Sequence, residues 1–277
     1  MKNSNLQPKT YNLTIGWLYP SLMSTYGDRG NIITLTKRIE WRGIGVEVKE
    51  LEIGFSNEAL ATCDLLFMGG AQDRQQKIVS ADLEKKASIL AKAIEDGIPG
   101  LYICGAYQFL GTYYKEADGT VIPGLGIFDL YTENPGGHVP RLIGNIVASS
   151  LVIPDSDPES HPPKENSTTN DEPRTTNTLV GFENHGGRTY LGDNIKPLAK
   201  VVKGFGNNGT DETEGAIYKN SIGSYMHGPI LPKNPHLADF LIGKALEKKY
   251  GRTFNLGKLM DSLETHAHNE VVKRILS

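Results

Sequence analysis

Cysteine is almost absent from this chain: Cys63 and Cys104 are the only two in 277 residues. Two thiols in a chain of this length make no disulfide framework, and they offer no Cys-x-x-Cys pair for zinc, so no metal centre is expected. Charge of one sign is equally lacking. The chain has 29 Lys and Arg against 32 Asp and Glu, a net charge of -3, which gives no reason to expect a nucleic acid or an anionic membrane as partner. No apolar run approaches the roughly 20 residues that span a bilayer. The polar opening Met1-Lys2-Asn3-Ser4-Asn5 lacks the apolar core of a signal peptide, so a reducing, cytoplasmic setting is expected. The sequons at Asn12, Asn166 and Asn208 are then incidental. There is no internal repeat. The glycine-rich run Gly204 to Gly209 has no Lys-Ser/Thr and opens no helix, so it reads as a hairpin loop and not as a nucleotide site.

Strand and helix signals alternate through the first half. This order predicts an α/β fold with a doubly wound, mostly parallel sheet flanked by helices. Strands are expected at Leu13–Leu18, Val46–Ile53 and Leu65–Met68, and helices at Asp28–Arg42, with Asp28 as N-cap, and Ser80–Asp96. A short buried strand then leads into Cys104. The second half is strand-rich: 142–151, 179–183, 199–205 and 216–226, followed by helices at 236–250 and 258–276. Residues 154–178 are dense in Pro, Ser, Thr, Asn, Asp and Glu, and cannot bury enough surface to offset their ordering entropy. They are expected to be a disordered insertion, with His161 solvated, inside one domain covering 1–277.

The most informative stretch is Ile98-Pro99-Gly100-Leu101-Tyr102-Ile103-Cys104-Gly105-Ala106-Tyr107-Gln108. A buried strand that must turn on small residues into a helix lifts Cys104 out of the sheet, the geometry of a nucleophile elbow. A free thiol with a pKa of about 8.5 is mostly protonated at neutral pH, and a helix N-terminus and a nearby His both favour the thiolate. The other reading is a small buried hydrophobe. His227, after a strand and before Gly228-Pro229, is the candidate base, or else a turn residue. Gly69-Gly70 after a buried strand and the N–H of Gly105 could form an oxyanion hole, or the glycines could serve a plain tight turn. His185 is a second candidate base, and His138 and Arg141 flank the turn Asn134-Pro135-Gly136-Gly137, where an arginine could grip a carboxylate. In open parallel sheets such loops gather at the carboxyl ends of strands.

Together these stretches resemble the class I, triad-type glutamine amidotransferases of the cobyric-acid-synthase-like branch. The carriers are Ile103-Cys104-Gly105-Ala106-Tyr107-Gln108 and Gly181-Phe182-Glu183-Asn184-His185-Gly186-Gly187. The opening Leu18 to Asn31 and the run His227-Gly228-Pro229-Ile230-Leu231-Pro232-Lys233-Asn234-Pro235 are most similar to the glutaminase subunits of lipid II isoglutaminyl synthases. The resemblance implies that Cys104 attacks the side-chain amide of L-glutamine, that His227 is general base and acid, and that Gly70 and Gly105 supply oxyanion N–H groups. It implies that Gln108, Arg141 and His185 line the substrate site. It also implies a heterodimer, in which ammonia passes to a Mur-ligase-like subunit that holds ATP and Mg and takes lipid II as acceptor. This chain itself would carry no cofactor.

Two departures stand out. Ala106 replaces a common Gly, which is mild. Pro229 occupies the place two residues after the base where most class I enzymes carry an orienting acid. Either the Cys-His dyad suffices or the carboxylate comes from elsewhere, with the partner favoured and weak activity expected of the isolated chain. Other readings are an amidotransferase for a corrinoid carboxylate, a non-catalytic binding subunit, and a cysteine peptidase or γ-glutamyl hydrolase.

Overall fold

The computed structural model describes residues 11–153 and 177–277. The expected insertion lies outside the described residues except for its last two, and Thr178 is a fully buried strand residue.

Strand β1 (Asn12–Leu18) leads through a tight loop to α1 (Arg29–Glu40), then β2 (Gly45–Leu51), the short α2 (Asn57–Ala61), β3 (Leu65–Met68), α3 (Asp73–Glu95), β4 (Gly100–Ile103) and α4 (Gly105–Leu110). Three small strands follow: β5 (Tyr113–Lys115), β6 (Val121–Pro123) and β7 (Leu130–Glu133). Next come β8 (Leu142–Ser150), β9 (Thr178–His185), β10 (Arg188–Leu191), β11 (Ala199–Lys203), β12 (Thr213–Glu214), β13 (Ala216–Tyr218) and β14 (Ser221–Ser224). Helices α5 (Pro235–Tyr250) and α6 (Ser262–Leu276) close the chain.

The central sheet has the order β13-β14-β4-β3-β1-β2, parallel except for the β13–β14 hairpin at its edge. Its parallel strands follow the flavodoxin-like order 2-1-3-4-5, which places a ligand crevice at the carboxyl ends of the strands. Alternation along the strands feeds two cores. Leu13, Ile15, Leu65, Phe67, Leu101 and Ile103 face α1 and α5. Leu18, Leu66, Met68 and Tyr102 face α3 and the small sheet β10-β7-β5-β6. A third sheet, β12-β11-β8-β9, packs one face into the first core and the other, through Val147 and Val180, against Val272 of α6.

Several boundaries differ from expectation. Helix α3 starts at Asp73 and not at Ser80; among residues 74–80 only Gln76 and Val79 are buried, too few to show an apolar stripe in the sequence. The stretch 216–226 is a hairpin and not one strand: Lys219 takes φ +54 and reverses the chain, pairing Ala216 with Gly223. Asp28 precedes α1 but makes no side-chain cap, since its carboxylate is used elsewhere. The glycine-rich run does form the loop of an antiparallel pair, with Ala199 opposite Glu214. Among the described residues no helix is long and apolar enough to cross a membrane.

Candidate active site

Strand β4 lies between β3 and β14, all four of its residues buried, and ends at Cys104. There the backbone adopts φ +52, ψ -106, a conformation that costs a residue with a side chain on the order of 1–3 kcal/mol. The reason is local. The Cys104 N–H still donates to Ser224 O on β14 (2.8 Å), while the Cys104 carbonyl already accepts the first bond of α4, from Gln108 N (3.0 Å). One residue passes the chain from a strand ladder to a helix ladder, and its half-buried side chain is turned out of both. Glycine follows, and it leaves room for Gln76, whose Nε2 a Cβ at Gly105 would meet at 2.6 Å. Ala106 is fully buried in the second core, so the extra methyl is accommodated there.

His227 arrives from β14, which runs parallel to β4 with Ser224 opposite Ile103. Its backbone is fastened to β9: His227 N donates to Phe182 O (2.7 Å) and Phe182 N to His227 O (3.4 Å). Beyond it Gly228 takes φ +78, and the Pro229 ring packs so closely on α1 that a Cβ at Gly30 would be 2.4 Å from its Cγ. The position where an orienting acid was sought is therefore a packing contact. Burial first, and then His185 and Arg141, push the His227 imidazole down to about 3, so the ring is neutral at physiological pH. Gly70 separates base and thiol: a Cβ there would lie 3.0 Å from His227 Cε1 and 3.2 Å from Cys104 Cβ.

The run 181–188 acts as a scaffold in which each residue has a separate task. Glu183, fully buried, accepts from Phe205 N (2.7 Å) and Gly206 N (2.9 Å) and so anchors the glycine-rich loop. Asn184 holds Arg141 through its side-chain oxygen (2.9 Å to Nε) and its carbonyl (2.8 Å to Nη2). His185 is stacked on Tyr225 at 3.7 Å, with Nδ1 on Gly187 O (2.8 Å). Gly187 lets the turn lie on Gln108, whose Nε2 donates to Tyr225 OH (3.1 Å).

Cys104, His227, Gln108, Arg141 and His185 line one cleft of about 360 Å³. The cleft combines a strained thiol, a neutral imidazole and a guanidinium already oriented at the rim, a set suited to acyl transfer from a substrate bearing a carboxylate. Gly105 opens α4 directly after the thiol. Gly70 sits between thiol and base, but its N–H donates to Asp28 Oδ2 (2.7 Å), so in this conformation it is not turned to the cleft. His138 packs on Gly136 and is not among the cleft residues, and His161 lies outside the described residues. Sequence reading missed Thr25, Gln76 and Asn184, which also line the cleft. It also missed Arg188, which ties the 186–187 turn to Pro140 O. Thr25 and Asn184 had a signal, through their places in the runs Leu18 to Asn31 and Gly181 to Gly187, and Gln76 had none.

Comparison with known proteins bears on the family. Residues 14–235 match the model of the CobB/CobQ-like glutamine amidotransferase domain. The chain is 41% identical over 95% of its length, and 96% of the relative's, to subunit GatD of the glutamine-hydrolysing lipid II isoglutaminyl synthase of Staphylococcus aureus. It is 40% identical, over 94% and 90%, to the subunit of the same name from Streptococcus pneumoniae. A solved glutamine amidotransferase aligns with TM-score 0.51 over 83% of this chain and 98% of that one, at 14% identity, a likeness of fold.

Proposed function

The chain belongs to the CobB/CobQ-like glutamine amidotransferase family, and from that premise we propose that it hydrolyses L-glutamine through a thioester on Cys104. The observation that carries the reading is the left-handed elbow that presents Cys104 beside a neutral, backbone-fastened His227 across Gly70.

In this reading His227 takes the thiol proton as sulfur adds to the carboxamide carbon. The proton then goes to the departing nitrogen, which leaves as ammonia. Water, deprotonated by the same imidazole, cleaves the thioester to glutamate and regenerates the thiol. Gly105 N–H at the start of α4 stabilises the oxyanion. Arg141, held open by Asn184, binds the α-carboxylate, while Gln108 and His185 close the floor of the site.

The ammonia passes to an ATP-dependent, Mur-ligase-like subunit that binds ATP and Mg and amidates the D-glutamate α-carboxyl of lipid II, in the cytoplasm. Support comes from the two relatives that match over nine-tenths or more of both chains, which favours lipid II over a corrinoid as acceptor. The partner would also supply the carboxylate that Pro229 displaces. The test is glutamate release from glutamine by the chain with and without a co-expressed partner of that type. Acceleration of at least about tenfold is expected, and equal rates would remove the partner's catalytic role.

A further inference from the structure

The mechanism above leaves unused a fully buried carboxyl that touches the turn beside Cys104. Asp28, at the start of α1, is completely inaccessible, and its Oδ2 accepts the N–H of Gly70 at 2.7 Å. Its Oδ1 is buried with no hydrogen-bond partner among the described residues. Burial pushes the carboxyl up to about 7 even though the Gly70 bond pulls the other way. An aspartate at this position ordinarily caps its own helix, and Asp28 does not. Among the described residues its carboxyl bonds to the turn beside Cys104.

That turn is held at both ends. The Gly70 carbonyl accepts from Thr25 N (3.0 Å), and a Cβ at Gly69 would lie 2.4 Å from Met23 O and 2.6 Å from Asp28 Oδ2. A planar trans peptide carries its N–H and C=O on opposite sides, so the bond to Asp28 aims the Gly70 N–H at α1 and the Gly69 carbonyl the other way. A single N–H donated to a carboxylate has little left for a developing oxyanion. Glycine at both 69 and 70 frees the intervening peptide to rotate without a Cβ penalty. The same end of α1 backs the base, through Gly30 against Pro229 and Asn31 Oδ1 accepting from Leu231 N (3.0 Å), so one small movement of that end would reach both donor and base.

We propose that Asp28 is a positioning residue for the oxyanion hole: it holds the Gly69–Gly70 peptide with its N–H turned away from Cys104, and full-rate glutamine hydrolysis requires this bond to open. The proposal rests on the glutaminase reading above and gives a structural reason for low activity without the partner.

The test is kcat and KM for glutamine with wild type, Asp28→Asn and Asp28→Ala, each alone and with the co-expressed partner, alongside thermal unfolding. Loss of one oxyanion donor typically lowers kcat by about 10²–10³, which sets the ceiling of the effect. Asp28→Ala alone is expected to raise kcat about tenfold with KM unchanged. Asp28→Asn, whose amide oxygen accepts roughly half as strongly, is expected to raise it about threefold. Neither variant gains in the complex, where the bond is already open. An isolated Asp28→Asn with kcat at or below wild type overturns the proposal. That is the result if the N–H of Ala71, a residue lining the cleft, already completes the hole and Asp28 only braces the turn. Should Asp28→Ala fail to fold, the near-isosteric Asn variant decides alone. Absence of Cys104-dependent glutamate release from the wild-type complex is a different failure, and it removes the glutaminase reading itself.

Discussion

At the scale of single residues, the space between Cys104 and His227 is set by the missing side chain of Gly70. A methyl group there meets His227 Cε1 at 3.0 Å and Cys104 Cβ at 3.2 Å. Gly70→Ala is therefore expected to lower kcat by about 10- to 100-fold through displacement of base from nucleophile, with the unfolding midpoint little changed. Steady-state kinetics and a thermal melt check this together, and unchanged kcat would show that the pair has slack. His227, pushed down to about 3 by burial, is expected to show no imidazole titration by NMR between about pH 5 and 8 in the isolated chain. A partner carboxylate would move that titration upward. A midpoint near 6.5 without the partner would mean that the base is hydrated and not desolvated. Cys104 and His227 were legible in the sequence because small residues and prolines mark sharp turns wherever they occur. Asp28, Gln76 and Arg188 were not, since a buried polar side chain takes its role from what faces it. Nothing near Asp28 in the sequence points to Gly70, 42 residues on.

At the scale of elements, buried guanidinium groups at the end of α1, Arg38 above all, tie the helix to the C-terminal helices. Arg38, 2% exposed, donates to Asp239 of α5 through Nε (2.7 Å) and to Asp261, just before α6, through Nη1 (2.6 Å). Arg38→Met leaves Asp261 without its guanidinium and Asp239 with Arg42 Nη2 (2.7 Å) alone. Breaking a buried pair costs about 3–5 kcal/mol, and water reaching the quarter-exposed aspartates reduces this to roughly 2 kcal/mol. Urea unfolding measures it, and a change below about 0.5 kcal/mol contradicts the role. Elements with a sustained apolar pattern, such as β1 and α5, were legible, and so was β3 as a short run of four buried apolar residues. The small sheet was not: β5 and β6 have three residues each, and β10 finds its partner β7 far away in the chain, as Thr189 opposite Thr132. Pairing at that separation leaves no local periodicity to read.

At the scale of the whole molecule, buried titratable groups of opposite kind shape stability against pH. Glu214 is fully buried and pushed up to about 7, first by burial and also by the charge of Glu183, from an unfolded value near 4.3. Between those values the folded state binds more protons. The contribution of Glu214 is therefore complete below about pH 4 and is lost as pH rises through 7. His227 and His236, pushed down by burial to about 3 and about 4, act in the other sense, so stability falls as pH drops below about 6.5. Glu214→Gln is expected to gain on wild type progressively from about pH 4.5 to 7.5 in urea midpoints. A pH-independent difference would show that Glu214 has the same pKa folded and unfolded, against the effect of its burial. The doubly wound sheet and the gathering of site loops at its carboxyl ends were legible at this scale, because strand and helix alternate and parallel strands end on one edge. The acceptor of the ammonia was not, since no residue of the cleft touches it.

The most direct measurement is ammonia and glutamate release from L-glutamine by wild type and Cys104→Ala, each with and without the ATP-dependent partner. The account predicts equimolar products that require Cys104 and rise steeply with the partner. Release that survives Cys104→Ala, or no release by the wild-type complex, would contradict it.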